Sequence, residues 1–336
     1  MRDTFIYGIR LAMAALLTAI GLVSCIDEDL SECGHDYRID YSVRLRTNIT
    51  TEISAELTTP AEQAFGGRLQ GALKDVFTDH ARDVYLAFYT DDGSLSQHEQ
   101  HQMDASEASY TLYLPVKDYR HIALANADAE PLVAIDGKAD LKTLALHQQE
   151  ADTIDSHSVG LFSARLPMHV EERDQDFDVT LYMQNCASCL VLSSGDTRPD
   201  EVWGYADGFA DSFEADDSTY VFSRNTVVRE RLLRDEATGL YGLYAATFPS
   251  RDAAPEVSPL PMRRTPGTLW RIYVYVRMNG KITQTTLSVA EPLRAGQLRI
   301  IKGVIKPDGS VATNTQSVGV SVKLDWKPGG QHDIEV

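Results

Sequence analysis

The chain has 336 residues, 43% of them hydrophobic, with 49 acidic against 31 basic side chains and a formal net charge of −18. No Lys/Arg block offsets that charge, and Arg263-Arg264 is an isolated pair, so a phosphate-tracking surface is excluded and nucleic acid is not an expected partner. The apolar content, with 15 tyrosines, also excludes a disordered stalk.

Arg2 and Arg10 flank an apolar run, Leu11 to Val23, that has the layout of a secretory signal. It is too short for a spanning helix, which needs about 20 apolar residues. Leu22-Val-Ser-Cys25 resembles the bacterial lipobox, so residues 1–24 are expected to be removed as a lipoprotein signal peptide and Cys25 to be lipidated. Each acyl CH₂ buried in a bilayer contributes about 0.8 kcal/mol, and several palmitate-type chains make a durable anchor. The acidic run Asp27-Glu-Asp29 opens a tether over residues 25–36 and resembles the surface-export signal of Bacteroidetes lipoproteins. An outer-membrane, lipid-anchored, surface-exposed location is therefore expected.

Beyond Cys25, three cysteines remain: Cys33, Cys186 and Cys189. In an oxidising compartment an odd number leaves one thiol unpaired, and a disulfide between two of the three is expected without the pairing being fixed. Cys186-Ala-Ser-Cys189 lies in a strand-like stretch rather than at a helix N-terminus, which argues against redox chemistry.

The first folded segment alternates strictly. Tyr37, Ile39, Tyr41, Val43 and Leu45 are apolar between polar neighbours, the period of a half-buried strand. From Ala61 to Ala81 the period changes: after Pro60, Leu69, Leu73, Val76 and Phe77 fall at helical spacing, and one short helix is predicted. Asp83 to Tyr89 reads as a strand, with Asp91-Asp-Gly93 a hairpin turn. Ser109 to Leu114 and Tyr119 to Ala125 read as strands around a short turn.

The charged stretch Glu171 to Asp176 precedes another alternating strand bearing Phe177, Val179, Leu181 and Met183. A domain boundary is placed there, giving an N-terminal unit of residues 37–173 and a C-terminal one of 174–336. Strands are predicted at 190–193, 220–222, 240–248, 270–277, 283–289 and 298–305, with Met278-Asn-Gly-Lys281 a hairpin turn. Val318, Val320, Val322, Leu324 and Trp326 form a closing alternating strand. Many short strands with little helix predict an all-β fold of two tandem β-sandwiches.

No nucleophile elbow, phosphate loop or His-Glu-x-x-His pattern is present. His98, His101 and His121 are candidate metal ligands, Asp216-Asp217 a candidate glycosidase acid pair, and Trp203, Tyr205 and Phe209 a candidate sugar-stacking platform. Loop, surface and core positions explain them more simply. No enzyme activity, catalytic residue, metal, cofactor or small-molecule substrate is expected.

Ser24-Cys-Ile-Asp-Glu-Asp-Leu-Ser-Glu-Cys33 resembles the start of the FimB-type anchor subunits of Bacteroidales type V pili. Val84-Tyr-Leu-Ala-Phe-Tyr-Thr-Asp-Asp-Gly93, Leu112-Tyr-Leu-Pro115 with Tyr119 and Asn126, and Val322-Lys-Leu-Asp-Trp-Lys-Pro-Gly329 match that family's pattern in order and spacing. Val116-Lys-Asp118 replaces its usual Pro-Gly turn. The resemblance implies transthyretin-like sandwiches, retained lipid, and an anchor subunit that tethers a strand-exchange pilus and limits its length, with a fimbrial stalk subunit as partner. On that basis Tyr37 to Leu45 is expected to be a retained first strand closing the subunit's own groove, and Val318 to Trp326 the strand facing the pilin. A surface lipoprotein that captures glycan or protein is the alternative.

Overall fold

The computed structural model describes residues 36–47, 49–103, 109–253, 267–315 and 317–326. The signal segment, Cys25 and Cys33 lie outside these residues. The described residues form two sandwiches, as expected, with twenty-two strands in four sheets among them.

The first sandwich draws on β1 (Asp36–Arg46), β2 (Asp83–Tyr89), β3 (Leu95–Gln102), β4 (Ser109–Pro115), β5 (Asp118–Ala125), β9 (Phe162–His169) and β10 (Gln175–Met183). They run in the order β3-β2-β5-β9-β10-β1-β4. β9 and β10 share only the pairs Tyr182↔Ser163 and Met183↔Phe162. At that seam the sheet bends, folding β10-β1-β4 over β3-β2-β5-β9. Gln97 of β3 reaches Tyr113 O of β4 at 3.1 Å where the two ends meet. β4 and β5 are therefore not a hairpin: the two-residue link at Val116-Lys117 passes between layers, with the Tyr119 hydroxyl donating to Pro115 O at 3.1 Å.

Two helices pack beside this core, α1 (Ile49–Glu56) and α2 (Pro60–Ala72). Thr59 and Glu62 form a reciprocal capping box and Pro60 supplies the first turn, which fixes the start of α2 where the sequence placed it. The helix is shorter than the predicted 61–81, yet Leu69, Leu73, Val76 and Phe77 are all buried as their spacing requires. The helix α1 was not anticipated.

The second sandwich faces a five-stranded sheet, β16-β17-β11-β20-β21, with a six-stranded one, β22-β19-β18-β12-β15-β8. The first comprises β11 (Cys186–Ser193), β16 (Arg231–Asp235), β17 (Leu240–Thr247), β20 (Leu298–Ile305) and β21 (Val311–Thr313). The second comprises β8 (Thr153–Asp155), β12 (Glu201–Asp207), β15 (Val227–Arg229), β18 (Trp270–Met278), β19 (Lys281–Val289) and β22 (Val318–Trp326). Asn279 and Gly280, at φ +53° and +75°, make the predicted hairpin turn between β18 and β19. β11 is buried on both faces: Cys186, Leu190 and Leu192 enter the core between the two sheets, while Ala187, Cys189 and Val191 join the helices and the first sandwich.

A small fourth sheet of β6 (Val133–Asp136), β7 (Ala145–Gln148), β13 (Ser212–Glu214) and β14 (Thr219–Val221) covers the outer face of β2 and β5. The boundary expected at 173/174 does not separate the sheets. β10 pairs in parallel with β1, β7 pairs with β13, and β8 pairs with β15, so both halves of the chain share sheets. The chain leaves the first sandwich at Gln184-Asn185, and the charged 171–176 stretch belongs to a surface loop, 170–174, and the start of β10. Alternation reveals a strand and its buried face, but not the partner it pairs with.

Candidate functional site

The two strands singled out by the sequence occupy opposite situations. β1 is fully paired. It runs antiparallel to β4 from Asp36↔Pro115 to Ser42↔Ser109, and parallel to β10 from Ile39↔Gln175 to Arg46↔Tyr182. Ile39, Tyr41 and Val43 enter the core, with Tyr37 and Leu45 half-buried at its margins. Burying each such side chain contributes about 1.5–3 kcal/mol.

Tyr41 does more than fill space. Its hydroxyl lies 2.5 Å from His121 Nε2 on β5, across the sandwich. His121 Nδ1 is 3.0 Å from Ala87 O, which can only accept, so Nδ1 carries the ring proton and Nε2 accepts from Tyr41. Burial pushes the imidazole pKa down to about 4, so the ring is neutral near pH 7. Phe88 stacks on the His121 ring at 4.4 Å, and Tyr110 stacks on Tyr41 at 5.3 Å.

The arginines of β1 are polar residues on a paired strand. Arg38 pairs with Asp40 at 2.9 Å, Arg44 approaches Asp178 at 3.8 Å, and Arg46 lies 5.9 Å from the Tyr182 ring centroid. Arg38 lies in the ladder with β4, and Arg44 and Arg46 lie in the ladder with β10, so a protease would need to draw the backbone out of a ladder to reach any of them.

β22 is an edge. Among the described residues it pairs only with β19, antiparallel, from Val289↔Val318 to Ile282↔Trp326, with an irregularity between Ile282 and Gln284. Among the described residues no strand pairs with its other edge, the arrangement that accepts an added strand. Val318 packs against the second core, whereas Val320 and Val322, each 44% exposed, sit on the same inner face uncovered. The Leu324 and Trp326 side chains lie outside the described residues.

Cys186 and Cys189 are free, buried thiols that enter different cores from opposite faces of β11, and they form no bridge to one another. Burial pushes both thiols up, the opposite of a reactive cysteine.

The other candidate groups are dispersed. His98 and His101 lie on the exposed strand β3, where His101 packs on Tyr110 at 4.6 Å, and His121 is committed to Tyr41. Among the described residues no group of three His, Cys, Asp or Glu is placed to hold a metal. Asp216 is held by Arg120 and by Arg165 at 3.3 Å, while Asp217 caps Thr219, so the two carboxylates do not act as a pair. Trp203 stacks on Tyr275 at 5.3 Å, with Arg277 5.6 Å from its ring, and Phe209 is in the core. These rings are occupied with each other.

One buried acid escaped the sequence reading. Glu230, between β15 and β16, is 6% exposed, and neither carboxyl oxygen has a partner. Burial raises its pKa to about 8, which keeps it protonated at neutral pH. The glycine at position 204 on β12 admits it, since a Cβ there would collide with Glu230 Oε2 and Leu243. An acid among Arg229 and Arg231 gives no sequence signal of burial.

Residues 41–193, from β1 through β11, match the sequence model of the family described as Mfa2, fimbrillin-A associated anchor proteins Mfa1 and Mfa2. The likeness to fimbrial anchor subunits read from the motifs therefore holds over this stretch. No curated protein matches the chain. Among solved structures, a candidate adhesin from Bacteroides ovatus is similar at a TM-score of 0.52 and 8% identity, covering 91% of this chain and 98% of that one. A candidate polysaccharide-binding protein from Bacteroides thetaiotaomicron gives 0.51 at 11% identity, covering 83% and 99%. The fimbrial anchor protein Mfa2 from Porphyromonas gingivalis gives 0.47 at 12% identity, covering 86% and 99%. At these identities the first two establish a shared fold.

Proposed function

We propose that this protein anchors a fimbrial polymer to the outer membrane through lipid on Cys25 and limits the polymer's length. One observation carries the reading: β1 is paired with β4 and β10 and clamped through Tyr41, while among the described residues β22 pairs only with β19. In a strand-exchange polymer each subunit needs one vacancy and one donor. A subunit that keeps its first strand has no vacancy at that end and can only terminate the series. The family match over residues 41–193 supports a fimbria-associated role.

The lipid supplies the other half. If β1 stays in the fold, whatever is attached ahead of it stays too, so acyl chains on Cys25 transfer the load on the fimbria to the bilayer. The stalk subunit is the partner, and the chemistry is association rather than catalysis.

The test is a deletion strain together with the N-terminus of the mature protein. Without this protein, fimbriae are expected to be shed into the medium and to lengthen. Fimbriae that stay attached at normal length defeat the proposal, as does a mature chain that begins after Arg44 or Arg46.

A further inference from the structure

Tension on a subunit held by its N-terminus enters the fold at Asp36, the first residue of β1. β1 runs parallel to β10 over eight register pairs, from Ile39↔Gln175 to Arg46↔Tyr182, and antiparallel to β4 over seven. Arg38 N also donates to Asp174 Oδ1 at 3.2 Å, just ahead of β10. β10 ends at Met183, and β11 begins at Cys186 as a central strand of the second sandwich, between β17 and β20. Because β1 and β10 point the same way, Asp36 lies at one end of their ladder and the chain departs for the second sandwich at the other. A pull on Asp36 against that sandwich therefore runs along the ladder. Its evenly spaced bonds are stretched together, whereas a pull across the ladder opens them one after another.

From this geometry we infer that the β1–β10 ladder is a shear clamp that sets the tension the anchor withstands. The inference rests on the fimbrial reading for the source of that tension. Side chains oppose the slide along with the main chain. A slip of one residue toward the N-terminus would put Asp40, Ser42 and Arg44 where Ile39, Tyr41 and Val43 are buried, turning polar groups into the core. A slip of two would draw Tyr41 out of a space it fills completely. There its hydroxyl meets His121, and its ring lies 5.3 Å from that of Tyr110 and 5.5 Å from that of Phe177. Neither register offers a resting place, so the strand holds as a unit until it is released as a unit.

The test is single-molecule stretching of the full mature chain, held by a tag at its N-terminus and by a second tag inserted in one of two exposed loops. Placed after Asp196, beyond the end of β11, the second tag loads β1 along the ladder; placed after Glu172, ahead of β10, it loads β1 across it. Forced rupture reports the barrier to unfolding, so a strand that contributed only to equilibrium stability would show no preferred direction, and the first rupture is expected at a force at least about twofold higher along the ladder than across it. Equal forces overturn the inference. The variant Ser42→Cys, Asp178→Cys joins two register partners on the outer face. Its oxidised form is expected to rupture at a higher force along the ladder than its reduced form; identical forces mean that another element yields first, and overturn the inference as well. The measurement uses the isolated protein, so it fails separately from the anchor reading. Equal forces beside shed fimbriae in the deletion strain sink the clamp and leave the anchor, and a twofold difference beside fimbriae that stay attached does the reverse.

Discussion

The hydroxyl of Tyr41 and Nε2 of His121 join β1 to β5 across the interior of the first sandwich at 2.5 Å. The bond ties the first strand to the layer it does not pair with, so the strand is held by a core contact as well as by its two ladders.

Replacing Tyr41 with Phe keeps the ring and removes the donor. A buried acceptor left unpaired costs about 1–3 kcal/mol, and urea denaturation at pH 7 is expected to show a loss of that size. A loss below about 0.5 kcal/mol would mean that water reaches His121 Nε2.

His121 also sets a pH dependence. Its folded-state pKa, about 4, lies below the ordinary 6.5, so its contribution is fully present above pH 6.5 and lost as pH falls toward 4. Per proton the slope is about 1.4 kcal/mol per pH unit, and the whole is about 3 kcal/mol. His157, equally buried with its pKa near 4, adds a second such slope. Stability measured between pH 4 and 6.5 should lose roughly one proton of slope in His121→Gln while the His157 slope remains.

Glu230 works in the other direction. Its folded pKa, about 8, is raised from 4.5, so the stability it contributes is full below pH 4.5 and is lost as pH rises through 8. Glu230→Gln should be more stable than the parent by a few kcal/mol at pH 9 and close to it at pH 4. Chemical denaturation at the two pH values checks this; equal shifts at both would deny the burial argument.

Gly204 and Glu230 share one space, so Gly204→Ala should destabilise by about 1–3 kcal/mol through overpacking. The cost should shrink when Glu230→Ser accompanies it. A double-mutant cycle with a coupling near zero would contradict the shared space.

The sequence made the faces of the strands legible wherever one face meets water. The alternation of β1 and β22 and the Asn279-Gly280 turn appear as read, because period and turn chemistry are local. β3 was missed because its Ser-Gln-His-Glu-Gln-His-Gln stretch is polar throughout, and its pairing with β2 supplies what its side chains do not. β12 was missed because its inner positions are Val202, Gly204 and Ala206, too small to mark a strand, and Gly204 is small for the sake of Glu230. The link between β1 and β10 was invisible because parallel pairing joins segments with no shared turn.

A chain without β1, beginning at Thr47, should recover thermal stability when a peptide spanning residues 36–46 is added, since that peptide carries both ladders and Tyr41. Absence of any shift at millimolar peptide would show that the groove collapses rather than waits.

The parallel ladder between β1 and β10 pairs Ile39 with Gln175, so although β4 can take one edge of β1 early, its other edge has no partner until most of the first sandwich has been made. Closing so long a loop is slow compared with pairing neighbours in sequence. For that interval the nascent subunit is chemically a receptor, open to a strand from any neighbour. Whether it becomes a terminus or a link is then a race between one intramolecular and one intermolecular encounter, settled by local subunit concentration at the membrane as much as by the strength of the finished fold.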